Sequence, residues 1–305
     1  MAVQTKPRMG PARRREMLIF YLFLAPWIIG FLAFTAGPMI YSFYLSFTRY
    51  NISQPAQWIG LSNYVRAFTF DNLFFHSLRI TFIFAGTSIP LQLVFGLIIA
   101  LMLNFKIPAV SVWRTLYYLP SVLSGVAVAV LWQLIFHPSN GILNVLLRMI
   151  GIQGPRWLFD RQWALPALVL MSLWGVGGSM IIYISSLQGI PTALYEAATI
   201  DGASAWRRFW NVTLPMITPV IFFNLVMGII GALQTFMQAF IMTEGGPQNA
   251  TLFYGLRLYN AAFRDLRMGY ASMLAWVLFM IILMLTALVV RSSSLWVYYE
   301  GGARA

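Results

Sequence analysis

A chain of 305 residues that is 60% hydrophobic and only 9% charged is excluded from the ordinary water-soluble domains. Its net charge of +12 comes from basic residues scattered between apolar runs, not gathered on one domain, which argues against a nucleic-acid-binding module. With no cysteine there is no disulfide framework, thiol nucleophile or thiolate metal site.

In chain order, the one basic cluster comes first: Lys6, Arg8, Arg13, Arg14 and Arg15, read as a cytoplasmic tail (1–16) that anchors topology. The apolar run behind it is too long for a signal peptide and lacks a small-residue cleavage site, so it should stay as a membrane span. Six runs of sufficient length follow one another, at about 17–46, 78–104, 113–136, 164–188, 215–241 and 269–291. The first carries Pro26 and Pro38 and should kink. Residues 63–68 and 141–150 read as short amphipathic helices on the membrane surface. Span four contains Ser172, Gly175, Gly177, Gly178 and Ser179, small enough for close packing or a bend. No repeat or low-complexity linker divides the chain. The expected fold is a single all-α integral membrane domain of six transmembrane helices, with a core at 17–291 and a cytoplasmic tail at 292–305.

The polar stretch at 189–214 between spans four and five has local signals of its own. Pro191 suits a first helical turn, residues 194–200 continue it, and Asp201-Gly202 stops it, since glycine tolerates the left-handed conformation. Ser204 can cap a second helix, and Pro215 leads into the next span. Trp206, Phe209, Trp210 and Thr213 fall on one face of that second helix, with Arg207 and Arg208 beside it. Two short helices around a glycine, presenting aromatics and arginines, would fit a groove on a partner.

Orientation follows from the basic residues. With the N-terminus inside, 11 lie on the cytoplasmic side (the tail, Lys106, Arg114, Arg207, Arg208, Arg291 and Arg304) and 9 outside. Both termini and the 189–214 loop are then cytoplasmic.

The chain is poor in groups that do chemistry. All eight acids lie outside the six spans, which disfavours an ion-coupled carrier. His76 and His137 are far apart, so no metal site is expected, and no nucleophile–base set or phosphate-binding glycine loop occurs. Within span five, Asn224, Gly228, Gly231, Thr235 and Gln238 recur at helical spacing, with Gln234 at the edge of the stripe. Amides at membrane depth must be bonded, so this face should look toward protein or a watery path. Packing between helices would explain the stripe; so would a hydroxyl-rich solute passing Gln234, Gln238, Asn224 and Thr235.

Glu196, Ala197, Ala198, Asp201, Gly202, Ala203, Phe209, Leu214, Pro215 and Pro219 stand at a fixed spacing that resembles the coupling loop, or EAA motif, of bacterial ABC-importer permeases, with Val212 in place of the commoner isoleucine. Residues 114–120, 132–144 and 243–251 are similar to the corresponding parts of carbohydrate-importer permeases. The resemblance implies a permease subunit moving a sugar or related polyol across the cytoplasmic membrane by alternating access, and not an enzyme. It implies that a cytoplasmic ATPase dimer carries ATP and Mg, with no cofactor on this chain. That ATPase would be held by Glu196, Ala197, Ala198, Asp201, Gly202, Trp206, Arg207, Phe209, Leu214 and Pro215. A second homologous permease, in a heterodimer rather than a homodimer, and an extracytoplasmic solute-binding protein complete the implied assembly. The same type of importer carrying a non-sugar solute, and an ATP-independent carrier, are the alternatives.

Overall fold

The computed structural model describes residues 11–105 and 107–298. Lys6, Arg8, Lys106, Arg304 and the ends of both tails lie outside these, as do the side chains of Arg13 and Arg14. The chain begins with α1 (Pro11–Phe31), a π-helical turn (Leu32–Ala36) and α2 (Gly37–Ser46). The Gly37 N–H reaches back to the Leu32 carbonyl, widening the helix just before Pro38, whose ring would crowd a regular turn. The expected kink is therefore accommodated there as a widened turn. None of the most apolar stretch of this span is buried in the chain's own fold.

A hairpin not expected from the all-α reading comes next: β1 (Thr48–Asn51) pairs antiparallel with β2 (Gln54–Trp58), Thr48 opposite Trp58, with an irregularity between Arg49 and Asn51. The amphipathic helix α3 (Ser62–Thr69) follows. Helix α4 (Asn72–Asn104) starts before residue 78, because the Asp71 carboxylate accepts the Leu73 and Phe74 N–H groups at 3.0 and 3.3 Å and caps it there.

The third apolar run is not one straight rod. It divides into α5 (Val110–Val122) and α6 (Gly125–Ile135), which meet at 103°. Leu123 is extended, and Ser124 caps the new helix by accepting the Ala127 N–H at 3.4 Å. Helix α7 (Ile142–Met149) and the turn Trp157–Phe159 are tied by Asn144, which donates to the carbonyls of Pro138 and Pro155 and accepts from Trp157 Nε1 at 2.7 Å. The fourth run is α8 (Ala164–Leu173) and α9 (Gly177–Gln188), bent by 41°. A Cβ on Gly177 would stand 2.2 Å from the Tyr117 carbonyl oxygen, so only glycine lets α5 and α9 cross this closely.

Then come α10 (Thr192–Ile200), α11 (Ala205–Arg208), a π-helical turn (Phe209–Thr213), α12 (Leu214–Leu233), α13 (Met237–Met242), α14 (Tyr254–Tyr259) and α15 (Met268–Trp296). Among the described residues, four helical segments are long and apolar enough to cross a membrane, or six if each bent pair is one span. Two apolar cores hold the helices. One joins α4, α6, α8, α12 and α15 around Phe84, Phe136, Leu233 and Leu274; the other joins the ends of α4 and α9 around Leu103, Tyr183 and Leu187.

Candidate functional site

Helices α4, α5, α6, α8, α9, α12 and α13 line an open cavity of about 420 Å³. Gln92, Ser172, Ser179, Asn224, Thr235 and Gln238 give it polar walls, Trp174 and Met171 give it apolar ones, and its lining carries no charge. The Ser172, Ser179 and Thr235 hydroxyls donate to carbonyls three or four residues earlier in the chain, at 2.6, 2.8 and 3.3 Å, which leaves their oxygens free to accept. Asn224 lines the cavity with its Nδ2 buried and without a hydrogen-bond partner. Amide donors beside hydroxyl acceptors, with an aromatic plane, can bind a molecule rich in hydroxyl groups.

Asn224, Thr235 and Gln238 are thus brought together on one cavity, along with Gly228 and Gly231. Gln234 is not among its lining residues and is exposed. The single helical face expected for these residues is interrupted. Between α12 and α13 the chain leaves the helix at Gln234, and Phe236 takes up φ −141°. Thr235 and Gln238 reach the cavity from either side of that break. Gln92 lies outside the expected set; as the amide in the apolar middle of α4, away from Asn72 and Asn104 at its ends, it carries the same signal as the amides of span five.

The 189–214 loop folds as two short helices closed by local bonds. Gly202 has φ +73°, and a pair of bonds ends α10: Gly202 N–H to the Thr199 carbonyl at 3.0 Å, and Ala203 N–H to the Ala198 carbonyl at 2.9 Å. This is the arrangement that glycine makes possible at a helix C-terminus. Ser204 caps α11 by accepting the Arg207 N–H at 3.4 Å. Two side-chain bonds join the helices: Tyr195 Oη and Thr213 Oγ1 are 2.9 Å apart, and Arg208 Nη1 donates to Thr199 Oγ1 at 3.0 Å. The tip exposes Glu196, Ala197, Asp201, Gly202 and Arg207, and Ile200 is 87% exposed. Ala198, Leu214 and Pro215 are half-buried.

Of the aromatics expected at a partner groove, Trp206 and Trp210 are exposed and Phe209 is half-buried. Trp206, Phe209 and Trp210 pack on one another with ring centroids 5.4 to 6.1 Å apart. They wall an apolar groove of about 710 Å³ that runs beside α4, past Pro90, Val94 and Leu101. Thr213 does not join them: the π-helical turn widens the helix after Arg208, which breaks the regular spacing and buries Thr213 against Tyr195.

At the opposite end of α4, Asp71 forms a clamp. Its carboxylate accepts from Arg257 Nη2 at 2.9 Å and from Tyr270 Oη at 2.6 Å, joining α4, α14 and α15. Burial pushes the Asp71 carboxyl up, but the hydrogen bonds from Tyr270 and Arg257 and the Arg257 charge outweigh it and hold the group below the usual carboxylate range. His76 Nε2 meets the Asn249 carbonyl at 2.9 Å, tying the 243–253 loop to the same end.

Residues 92–295 match the model of the family described as binding-protein-dependent transport system inner membrane component. The chain is 45% identical over 291 residues to a probable ABC transporter permease protein, YesP, of Bacillus subtilis (strain 168), with 94% of each chain covered. It is 36% identical over 275 residues to the lactose transport system permease protein LacF of Rhizobium radiobacter, over 88% of this chain and 91% of that one. Its fold is similar to a chain in the crystal structure of a bacterial alginate ABC transporter in complex with alginate pentasaccharide-bound periplasmic protein: TM-score 0.81, identity 26%, with 94% of this chain and 97% of that chain covered. The cavity between apolar helices and the glycine-turned loop thus sit in a chain that belongs to the family of inner membrane components of binding-protein-dependent transport systems.

Proposed function

We propose that this permease carries a neutral sugar or polyol through the cavity at Gln92, Asn224, Thr235 and Gln238, as one half of a six-span-per-subunit pair driven by a cytoplasmic ATPase dimer. The observation that carries this reading is the lining itself, uncharged and set with amides and hydroxyls. A charged solute would enter with no counter-charge to meet it, at a cost of several kcal/mol. LacF, whose name gives lactose, and the alginate transporter both handle carbohydrate, which supports that class; alginate is acidic, so the neutral charge rests on the lining alone. Glu196, Asp201 and Gly202, exposed at the loop tip, meet the ATPase in this reading, and the ATPase holds ATP and Mg. The termini then lie in the cytoplasm, and a solute-binding protein delivers substrate on the other face. The second permease is a homologue rather than a copy, as in the carbohydrate group that this sequence resembles.

The test is uptake by vesicles reconstituted with permeases, ATPase and binding protein. Gln92→Leu and Gln238→Leu should each raise KM or lower turnover for a neutral oligosaccharide by roughly fivefold, the loss of one hydrogen bond of about 1 kcal/mol. Unchanged uptake in both variants would remove the cavity from the path, and uptake that persists without ATP would refute the ATP-driven mechanism.

A further inference from the structure

Far from the cavity, at the end of the bundle where α4 begins, a hollow of about 420 Å³ opens between the hairpin, α3 and the turn into α15. Three arginines line it: Arg49 on β1, Arg66 on α3 and Arg267 just before α15. All three are exposed, and among the described residues none forms a salt bridge. The one carboxylate in the lining, Asp265, is already met by Arg257 Nη1 at 3.4 Å. Three arginines lining one hollow suit a phosphate, which guanidinium groups can grip in pairs.

The hollow continues into an apolar trough. Ser62 and Arg66 line both it and a neighbouring depression of about 340 Å³, whose other walls are Leu61, Val65 and Phe70. These three side chains are 62%, 55% and 79% exposed, and Trp58 on β2 is 64% exposed. Such a surface is unfavourable in water and favourable at the boundary of a bilayer, where tryptophan also concentrates.

The position fits that boundary. Helix α2 ends at Ser46 and α15 begins at Met268, so two apolar spans stop beside the hollow. The hairpin and α3 are fixed to those ends. Asn63 Nδ2 donates to the Ser46 and Thr48 carbonyls, both at 2.9 Å. The Thr48 carbonyl oxygen lies 2.1 Å from where a Cβ on Gly269 would stand. The arginines are therefore held at the depth where the apolar spans give way to polar chain.

We propose that this compound surface binds an anionic phospholipid, its phosphate among Arg49, Arg66 and Arg267 and an acyl chain along Leu61, Val65 and Phe70. An acidic segment of a partner protein would satisfy the arginines alone and leave the adjoining trough uncovered, whereas a lipid answers both parts.

The experiment is native mass spectrometry of the purified transporter, complete with its ATPase, after exposure to an equal mixture of phosphatidylglycerol and phosphatidylcholine. The wild type should retain phosphatidylglycerol preferentially, and each of Arg49→Gln, Arg66→Gln and Arg267→Gln should weaken that preference by roughly fivefold. Val65→Ser should reduce retention of lipid with the arginines intact. None of these side chains anchors the fold, and size-exclusion chromatography verifies assembly of each variant. Phosphatidylglycerol should raise the unfolding temperature, while inorganic phosphate at the same concentration should not. The proposal is overturned if the wild type shows no preference, if the arginine variants retain it, or if free phosphate stabilises as well as the lipid. It is equally overturned if the variants keep their lipid but bind the solute-binding protein more weakly, which would assign the arginines to that protein.

Discussion

Replacing Gly202 with asparagine, alanine and valine in turn tests whether the loop transmits motion through the shape of its turn. Gly202 has φ +73°, and no heavy atom lies within 4 Å of a Cβ built on it. The strain of a substitution is therefore all in the backbone. For an ordinary residue the left-handed conformation costs about 1–2 kcal/mol, with asparagine the most tolerant and β-branched side chains the least. Strain of this size changes the ratio of native to altered turn by about 5- to 30-fold. The Tyr195–Thr213 and Arg208–Thr199 bonds oppose that change; the first lies beyond the turn, the second is made by Thr199, whose carbonyl also closes it. Insertion in the membrane depends on the apolar spans and should be unaffected. The assay is ATP hydrolysis in reconstituted vesicles, with and without loaded binding protein. Stimulation should fall in the order Asn, Ala, Val, with the valine variant nearly uncoupled. If asparagine is as damaging as valine, bulk at a contact surface is responsible and not the turn; if valine stimulates and transports normally, the loop has no coupling role.

Asp71→Ala removes the cap of α4 and leaves Arg257, 12% exposed, without its nearest carboxylate, so thermal unfolding in nanodiscs should show a loss of about 3–5 kcal/mol. Asp71→Asn keeps the cap and should lose less. Because the folded carboxyl titrates below its unfolded value of about 3.9, its contribution should be complete above about pH 4 and disappear as the pH falls further, a dependence absent from the Asn variant. Gly177→Ala drives a methyl group into the Tyr117 carbonyl and should destabilise the α5–α9 crossing by about 1–3 kcal/mol or more, while Gly178→Ala, with open space around it, should be neutral. With no native cysteine as background, Ser204→Cys should label only from the cytoplasmic side and Asn249→Cys only from the other; the reverse pattern would refute the proposed orientation.

What could be read from the sequence was what is local. Hydropathy over about 20 residues located the apolar runs, and glycine, serine and proline chemistry gave the turn at Gly202 and the cap at Ser204, because each is decided within a few residues. Direction was another matter. Hydropathy has no sense of angle, so residues 113–136 read as one rod although Ser124-Gly125 in the middle is a helix-start signal. Helical spacing assumes a continuous helix, so it groups Gln234 with Gln238 and sets Thr213 with the aromatics across a π-helical turn. The Asp71 clamp was beyond reach: Arg257 and Tyr270 lie 186 and 199 residues away, and nothing near any of the three residues points to the others.

The seat of Thr48 on Gly269 sets an order of events during synthesis. The first span precedes the hairpin, yet α2 and the hairpin find their support on α15, which is made after every other described helix. Until then the exposed flank of the first span has only lipid or chaperone for company, and the hairpin has no floor. Closure of the bundle is thus a late, long-range step, slow by the same loop-closing entropy that delays any distant contact. A chain that stalls or is cut before Met268 would keep its cavity helices and its two-helix loop but leave the first span unfastened, a form that membrane quality control could recognise by that loose end alone.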